Sequence, residues 1–364
     1  MNKQLLYQWR EQISKHLGSL NAWQKENVAV FSLGMIEAKS SQQRQIAEHL
    51  SEVGEAESVK RRLQRFLAND KIEMDAFFKE WTQWVAGGWE QDSYTLLVDE
   101  TKLGERLGVM MVALAYQGRA IPLAWTCYKA NDSAAYPAEG QVEMIKHLLQ
   151  VVKTGLPAGC SVTVQADRGI GTSPKLAQAV VDEQWYFLFR VTAQTKIVTS
   201  EGDLTIFQQV QVGQQWRKEG KVFKKRGKIA GYACALWEEG YDQPLALVTN
   251  HPAYTGHEYA QRNWQEQAFR DLKSSGWQWD KSHVWQPAHA QRLLILMVVA
   301  YGWMLALGVQ ATLKGQALLK RLPNGQVARQ LSLFQQGLRL FRRLHLDPFA
   351  VFPGLWFPLD NSFP

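Results

Sequence analysis

The sequence predicts an α/β core that contains an all-β excursion and is flanked by helical segments on both sides. Three observations support this prediction: a helical pattern before Gly87-Gly88, strands alternating with helices after it, and strand-like runs between Trp185 and Thr249. With 364 residues, 46% of them hydrophobic, the chain can bury a large core and is long enough for two or three domains. The expected division is a helical segment at 1–88, an α/β core at 89–184 and 250–290, a β-rich insertion at 185–249 and a helical region at 291–364.

The first segment is helical from Trp9 to about Val85, and two of its helices are separated by a short break. SSQQRQIAEHL offers Ser40 or Ser41 as the N-cap of the first, SEVGEAES interrupts the pattern, and SVKRRLQRFLAND resumes it. A helix, a turn with Gly and a basic helix resemble a helix-turn-helix, and a solvated basic face on a helical bundle is an equally good interpretation. The basic residues of the second helix are Lys60, Arg61, Arg62 and Arg65.

The core begins with three short apolar runs at 94–99, 107–116 and 119–128, and Gln117-Gly118 can turn the second into the third. They predict a three-stranded meander. A helix over 140–153, a strand over 161–167 and a helix over 171–183 follow, the last supported by Pro174 at its start. Alternating strands and helices indicate an α/β domain.

The insertion contains the runs WYFLFRV, LTIFQQVQV, KVFKKRGKIA, YACALW and PLALVTN, each of which predicts a strand. Its densest basic stretch lies on an expected hairpin, where it favours phosphate contact over the alternative of a solvated edge. Trp216 and Trp237 are candidates for stacking on a base, with ordinary core packing as the alternative. The basic stretch comprises Lys218, Lys221, Lys224, Lys225, Arg226 and Lys228.

The C-terminal region starts with an apolar run from Leu293 to Val309, which polar and Gly residues interrupt. It is short for a membrane span, so we expect a buried helix. A basic amphipathic tail follows at 326–346 and carries Arg329, Arg339, Arg342 and Arg343.

The charge and the cysteine content limit the partners and the cellular location that we expect for this protein. A net charge of +7 and a pI near 9.2 favour polyanionic partners, of which nucleic acid is the first candidate. Cys127, Cys160 and Cys234 show neither a redox nor a zinc spacing, and the first residues lack an apolar leader. We therefore expect core thiols, a cytoplasmic location and no membrane partner.

Tyr259, Arg262, Glu266 and Lys273 are spaced so that one continuous helix would place all four on one narrow face, opposite an apolar back. On such a face, the bases can bind phosphate while the acid binds a metal ion. The alternative is a solvated amphipathic helix with an Arg262–Glu266 pair at i,i+4.

Two further acids, Asp99 and Asp167, follow apolar strand runs, and strand ends are where sites assemble in open α/β sheets. If Glu266 packs over them, three carboxylates converge, and such a cluster selects Mg²⁺ or Mn²⁺. Two ions would then suit an in-line phosphoryl displacement. Three other acids fit less well, because none lies at a strand mouth or on the basic stripe: Glu100, Asp182 and Asp271.

Together these six residues resemble the DDE transposases of bacterial insertion sequences, in the subgroup named for its Tyr-Arg-Glu-Lys signature. The resemblance covers nearly the whole chain, including FRDLK around Lys273 and the VDET and ADRG contexts of Asp99 and Asp167. It implies a ribonuclease-H-like core, a helical DNA-binding domain at 1–88 and a nucleoid-associated bacterial protein.

The resemblance also implies site roles. Asp99, Asp167 and Glu266 would be catalytic and hold two Mg²⁺ ions, with Mn²⁺ as a substitute, while Tyr259, Arg262 and Lys273 would grip phosphates. The expected activity is cut-and-paste transposition on double-stranded DNA, at terminal inverted repeats and at a target, by a homodimer. A nuclease without strand transfer and a non-catalytic DNA-binding repressor are the alternatives. DNA contacts are also expected from the following: Lys60, Arg61, Arg62, Arg65, Lys224, Lys225 and Arg226.

Overall fold

A mixed ten-stranded sheet carries α-helices around it, and the mixed α/β architecture fits the expected core. The computed structural model describes residues 3–89, 92–132, 140–223, 228–347, 351 and 354–358. The helices are α1 Lys3–His16, α2 Ala22–Ala38, α3 Gln43–His49, α4 Ala56–Leu67, α5 Met74–Ala86, α6 Gly140–Gly155, α7 Arg168–Gly171, α8 Pro174–Asp182, α9 Asn263–Leu272, α10 Pro287–Leu313 and α11 Leu333–His345. The strands are β1 Ser93–Leu103, β2 Leu107–Tyr116, β3 Arg119–Lys129, β4 Ser161–Ala166, β5 Tyr186–Arg190, β6 Lys196–Thr199, β7 Gly202–Thr205, β8 Gln215–Val222, β9 Ile229–Leu236, β10 Leu245–Thr249, β11 Leu319–Arg321 and β12 Val327–Arg329.

The sheet order is β3-β2-β1-β4-β5-β10-β9-β8-β6-β7. The meander predicted for β1 to β3 is confirmed, and its second turn uses Gln117 and Gly118, both with positive φ as a tight hairpin requires. Strands β1, β4 and β5 are parallel, because α6 returns the chain from the meander to β4, and α7 and α8 return it from β4 to β5. These parallel strands at the centre of the sheet position the residues of the site described below.

Strands β5 to β10 extend the same sheet, since β10 pairs with both β5 and β9. One strand prediction here is wrong. The run LTIFQQVQV continues β7 only to Thr205 and then forms a 3-10 turn at Ile206–Gln209, with Ile206 fully buried. An alternating pattern does not distinguish such a turn from a strand when one side packs on the core.

The expected Ser cap of α3 is also wrong. Gln42 precedes the helix and makes no side-chain cap, whereas the Ser40 hydroxyl accepts a hydrogen bond from the Gln42 N–H at 3.1 Å. Ser41 donates its backbone N–H to the Trp277 carbonyl at 2.6 Å. Both serines are fully buried, so they fix the chain before the helix rather than capping it.

Helix α10 is the buried helix that the sequence predicts. By length and composition it is apolar enough to cross a membrane, but 94% of its most apolar stretch is buried inside the protein, as in a core helix. Helix α11 covers part of it at very short range. A Cβ atom at Gly308 or Gly337 would collide with the backbone at Leu333 or Met304, so glycine is required at both contacts.

Candidate active site

The parallel pairing of β1 and β4 brings Asp99 and Asp167 together. Their last aligned pair is Val98 with Ala166, so the next residue on each chain is an aspartate. Asp99 does not end its strand as expected, because β1 continues to Leu103 against β2. Asp167 does follow β4 directly, where its carboxylate accepts a hydrogen bond from the Ile170 N–H at 3.1 Å and caps α7.

Asp99 is buried and balanced by a base. Its Oδ2 lies 3.0 Å from Arg262 Nη2, and its Oδ1 accepts the Glu100 N–H at 2.9 Å. Burial raises the pKa of Asp99 to about 7, the Arg262 charge opposes this, and the charges of Asp167 and Glu266 add to it. The three predicted acids are therefore close enough to interact electrostatically.

The segment that carries Glu266 is not one continuous helix, and this part of the prediction is wrong. Tyr259 and Arg262 lie on a 3-10 turn, His257–Arg262, while Lys273 follows the last residue of α9 with a non-helical ψ of −120°. A 3-10 turn has three residues per turn, so angles counted at 3.6 residues do not apply across it. Tertiary contacts, rather than a shared helical face, bring these side chains to the site.

The basic and phenolic groups of this segment bond to the protein itself. Tyr259 donates its hydroxyl to the Ala166 carbonyl at 3.3 Å, which ties the turn to the end of β4. Lys273 Nζ donates to Thr101 Oγ1 at 2.6 Å and to the Lys102 carbonyl at 2.8 Å, and burial lowers its pKa. These groups are thus held against β1 and β4, beside the two aspartates.

Arg262 connects two of the acids. Its side chain is 9% exposed, with Nη2 on Asp99 and Nη1 3.3 Å from Glu266 Oε1. The Arg262–Glu266 pair that the solvated-helix alternative predicts therefore forms. The arginine of this pair is buried, however, rather than solvated. Glu266 is the most accessible member, with 56% of its side chain exposed.

The three carboxylates supply the hard oxygen donors that Mg²⁺ prefers. Within the described ranges, however, no group of three or more His, Cys, Asp and Glu side chains is placed to hold a metal ion. Arg262 lies between Asp99 and Glu266, and its buried Nε has no hydrogen-bond partner in the part of the chain that the structure describes. The donor set fits a divalent ion in chemistry, and in this arrangement Arg262 occupies the space between two of its carboxylates.

A buried ion pair that the sequence reasoning missed fixes α9 against the sheet. Asp271 Oδ2 accepts from Arg119 Nε at 2.6 Å and lies 3.4 Å from the Tyr301 hydroxyl. Burial raises the pKa of Asp271 to about 6, against the influence of Arg119. Its sequence position indicates this contact, because Asp271 follows Ala268 by three residues and therefore lies on the inward face of α9.

Helix α4 divides its four bases between surface and interior. Arg61 and Arg65 are exposed and line an open groove together with Ser58, Gln64 and His289. Lys60 is half-buried beside Glu57 at 3.4 Å.

Arg62 points inward, since it falls three residues after the buried Val59. Its Nε donates to Asn27 Oδ1 at 2.7 Å, and its guanidinium lies over the Phe31 ring at 5.8 Å. The structure therefore separates it from the other bases of this helix.

In the insertion, Lys218 pairs with Glu201 at 3.0 Å, and Trp216 and Trp237 are half-buried against the core. Trp237 donates its indole N–H to the Tyr241 carbonyl at 2.9 Å. The remaining predicted contacts, Lys224, Lys225 and Arg226, lie outside the described residues.

A family model described as Transposase DDE domain matches residues 101–303, more than half of the chain. Asp167, Glu266 and the basic residues of the site lie inside the match, and Asp99 lies two residues before it. No curated protein sequence matches the chain.

Among solved structures, the crystal structure of the C-terminal lobe of a budding yeast Argonaute is similar over 68% of this chain and 56% of that one. The sequence identity is 11% and the TM-score is 0.22, too low to support an argument about fold.

Proposed function

Since the chain belongs to the transposase DDE domain family, we propose that it is a cut-and-paste transposase of a bacterial insertion sequence, in the Tyr-Arg-Glu-Lys subgroup. It binds the terminal inverted repeats of its element, cleaves the ends and joins the 3′-hydroxyl ends to target DNA. The observation that carries the proposal is the pairing of β1 with β4, which aligns Asp99 with Asp167 beside the Arg262–Glu266 pair.

Asp99, Asp167 and Glu266 are the residues that would hold two Mg²⁺ ions, with Mn²⁺ as a substitute. Bound there, the ions supply charge stabilisation for the attacking and leaving oxygens of a phosphoryl transfer. The chain itself keeps two of these acids next to each other through the β1–β4 register and presents the third on the accessible side of α9.

Arg262 has two roles in this proposal. Without DNA it neutralises Asp99, whose charge would otherwise be destabilised by burial and by the charges of Asp167 and Glu266. When a DNA phosphate arrives, the guanidinium exchanges its carboxylate partners for phosphate oxygens, which accept the same paired N–H geometry. Tyr259 and Lys273 flank it and would contact the neighbouring phosphates.

The DNA-reading element in this proposal is α4, in a DNA-binding domain over 1–88. Its exposed Arg61 and Arg65 alternate with Ser58 and Gln64, a set that can reach phosphates and base edges in a major groove. The catalytic core would span 89–184 and 250–290, with the insertion at 185–249 and the C-terminal helices at 291–364. Cutting two ends implies a homodimer on DNA, at the bacterial nucleoid.

The test incubates the purified protein with a labelled duplex ending in the inverted repeat that flanks its coding region, a supercoiled target plasmid and Mg²⁺. A transposase yields a nicked end and then a labelled plasmid joined to it. Cutting without joined product would identify the nuclease alternative, and binding without cutting would identify the repressor. The Asp167→Asn protein serves as the matched control, which we expect to bind the end without cutting it.

A further inference from the structure

The positive charge of the chain is concentrated in one stretch. Residues 281–346 contain nine Lys and Arg and neither Asp nor Glu, whereas the rest of the chain has 32 Lys and Arg against 34 Asp and Glu. The net charge of +7 therefore comes entirely from this stretch. A run of 66 residues without an acid can have its bases neutralised only by acids from other parts of the chain.

Five of these bases lie around the end of α10, the β11–β12 hairpin and α11, and we call them the C-terminal basic surface. Arg339 and Arg343 border a small groove with Ala311 and Gln316, which places α11 beside the end of α10. Gln336 donates its side-chain amide to the Leu318 carbonyl at 3.4 Å, which ties α11 to the start of the hairpin. The surface consists of Lys314, Lys320, Arg321, Arg339 and Arg343.

The bases of this surface are not paired with acids of the described residues. Over the described ranges none of the five forms an ion pair with an acid, whereas Arg61 pairs with Glu57 and Lys218 with Glu201. Four are exposed, and the fifth, Arg339, has a buried Nη1 without a hydrogen-bond partner among the described residues. A buried guanidinium N–H without an acceptor is costly, and a phosphate oxygen in the adjacent groove would satisfy it.

We propose that the C-terminal basic surface binds the phosphate backbone of a DNA duplex without reading its sequence. It is a second DNA site, separate from the groove at α4, and it rests on the proposed function only for the choice of DNA as the polyanion. Flexible bases on a hairpin and a helix can follow a row of regularly spaced phosphates. Leu319 and Val327, each about half exposed on the same hairpin, add apolar contact rather than base recognition.

The experiment measures anisotropy of a labelled duplex of about 30 base pairs without terminal repeats, at several salt concentrations and with EDTA in place of Mg²⁺. The variants are K320Q/R321Q on the hairpin and K314Q/R343Q beside the groove. Each removes two exposed charges, so the slope of log affinity against log salt should fall by about 2, and affinity at low salt should drop at least tenfold. The matched control is K129Q/K175Q, which removes two exposed lysines outside the proposed DNA-binding domain and should bind as the unsubstituted protein does.

Unchanged slope and affinity in both double variants would overturn the proposal, as would an equal loss in the control. A change of oligomeric state without loss of DNA binding would assign the surface to contact between copies instead. Thermal unfolding of each variant checks that the fold is kept. The result is independent of catalysis: if the unsubstituted protein cuts no ends while the double variants still lose duplex affinity, the transposase proposal fails and this one stands.

Discussion

The bases of the active-site segment and those of the C-terminal basic surface are the same residue types in opposite situations. Arg262 is buried and Lys273 half-buried, and they are already bonded to Asp99, Glu266, Thr101 and the β1 backbone. The C-terminal bases are mostly exposed and form no ion pair with an acid of the described residues. Burial therefore decides whether a base pairs with the protein's own acids or remains available to a partner.

The largest effect should come from removing any of the three acids of the candidate active site. We expect Asp99→Asn, Asp167→Asn and Glu266→Gln each to lower end cleavage by about 10³-fold or more, because each removes a charged donor for the metal. Binding of the end, measured by gel shift, should change little. Asp182→Asn on the exposed end of α8 is the control, and cleavage retained by Asp167→Asn would remove that residue from the catalytic set.

Substitution of Arg262 tests whether its burial serves the protein's own charge balance. Arg262→Gln leaves Asp99 without its cation, so we expect a loss of about 3 kcal/mol in the free energy of unfolding, measured with urea in EDTA. Mg²⁺ should restore more stability to this variant than to the unsubstituted protein. Arg262→Lys keeps the charge but cannot bridge two carboxylates, and we expect an intermediate loss; equal stability of all three would show that the pair contributes nothing.

Helix α4 offers the same comparison within one element, since Arg65 is exposed and Arg62 points inward. Arg65→Gln should weaken binding of the terminal repeat by about 1–3 kcal/mol, which corresponds to about 5- to 150-fold, and leave stability unchanged. Arg62→Gln should instead lower stability through the lost contact with Asn27. Binding isotherms and urea curves for both proteins separate the two outcomes, and a swapped pattern would reverse the assignment of faces.

The smallest effect concerns a buried acid beneath α11. Glu37 lies 3.4 Å from His345, and its pKa is raised to about 7, chiefly by burial. A raised carboxyl pKa means that the folded state holds the proton more tightly, so this stabilisation is present at low pH and is lost as pH rises through about 7.

We expect the unsubstituted protein to lose about 2 kcal/mol more stability between pH 5 and pH 8 than Glu37→Gln does, because each pKa unit is worth about 1.4 kcal/mol. Urea unfolding of both proteins at the two pH values measures this difference. Parallel losses would show that Glu37 does not titrate in this range.

The sequence predicted the meander, the strand before Asp167 and the buried α10, because these depend on local periodicity and turn residues. It also predicted two aspartates that the β1–β4 register then aligns. It did not predict that Asp99 lies within a longer strand or that a 3-10 turn interrupts the Tyr259 segment. Nor did it predict the inward Arg62 and the Asp271–Arg119 pair, because these depend on which distant element packs against each side chain.

The glycine contacts between α10 and α11 have a consequence for synthesis of the chain. Translation produces α10 first, and α11, which closes over it, begins only at Leu333, after the β11–β12 hairpin. Until then a long apolar surface is open to other molecules in the cell. Shortened products that stop before Leu333 would therefore be prone to aggregate.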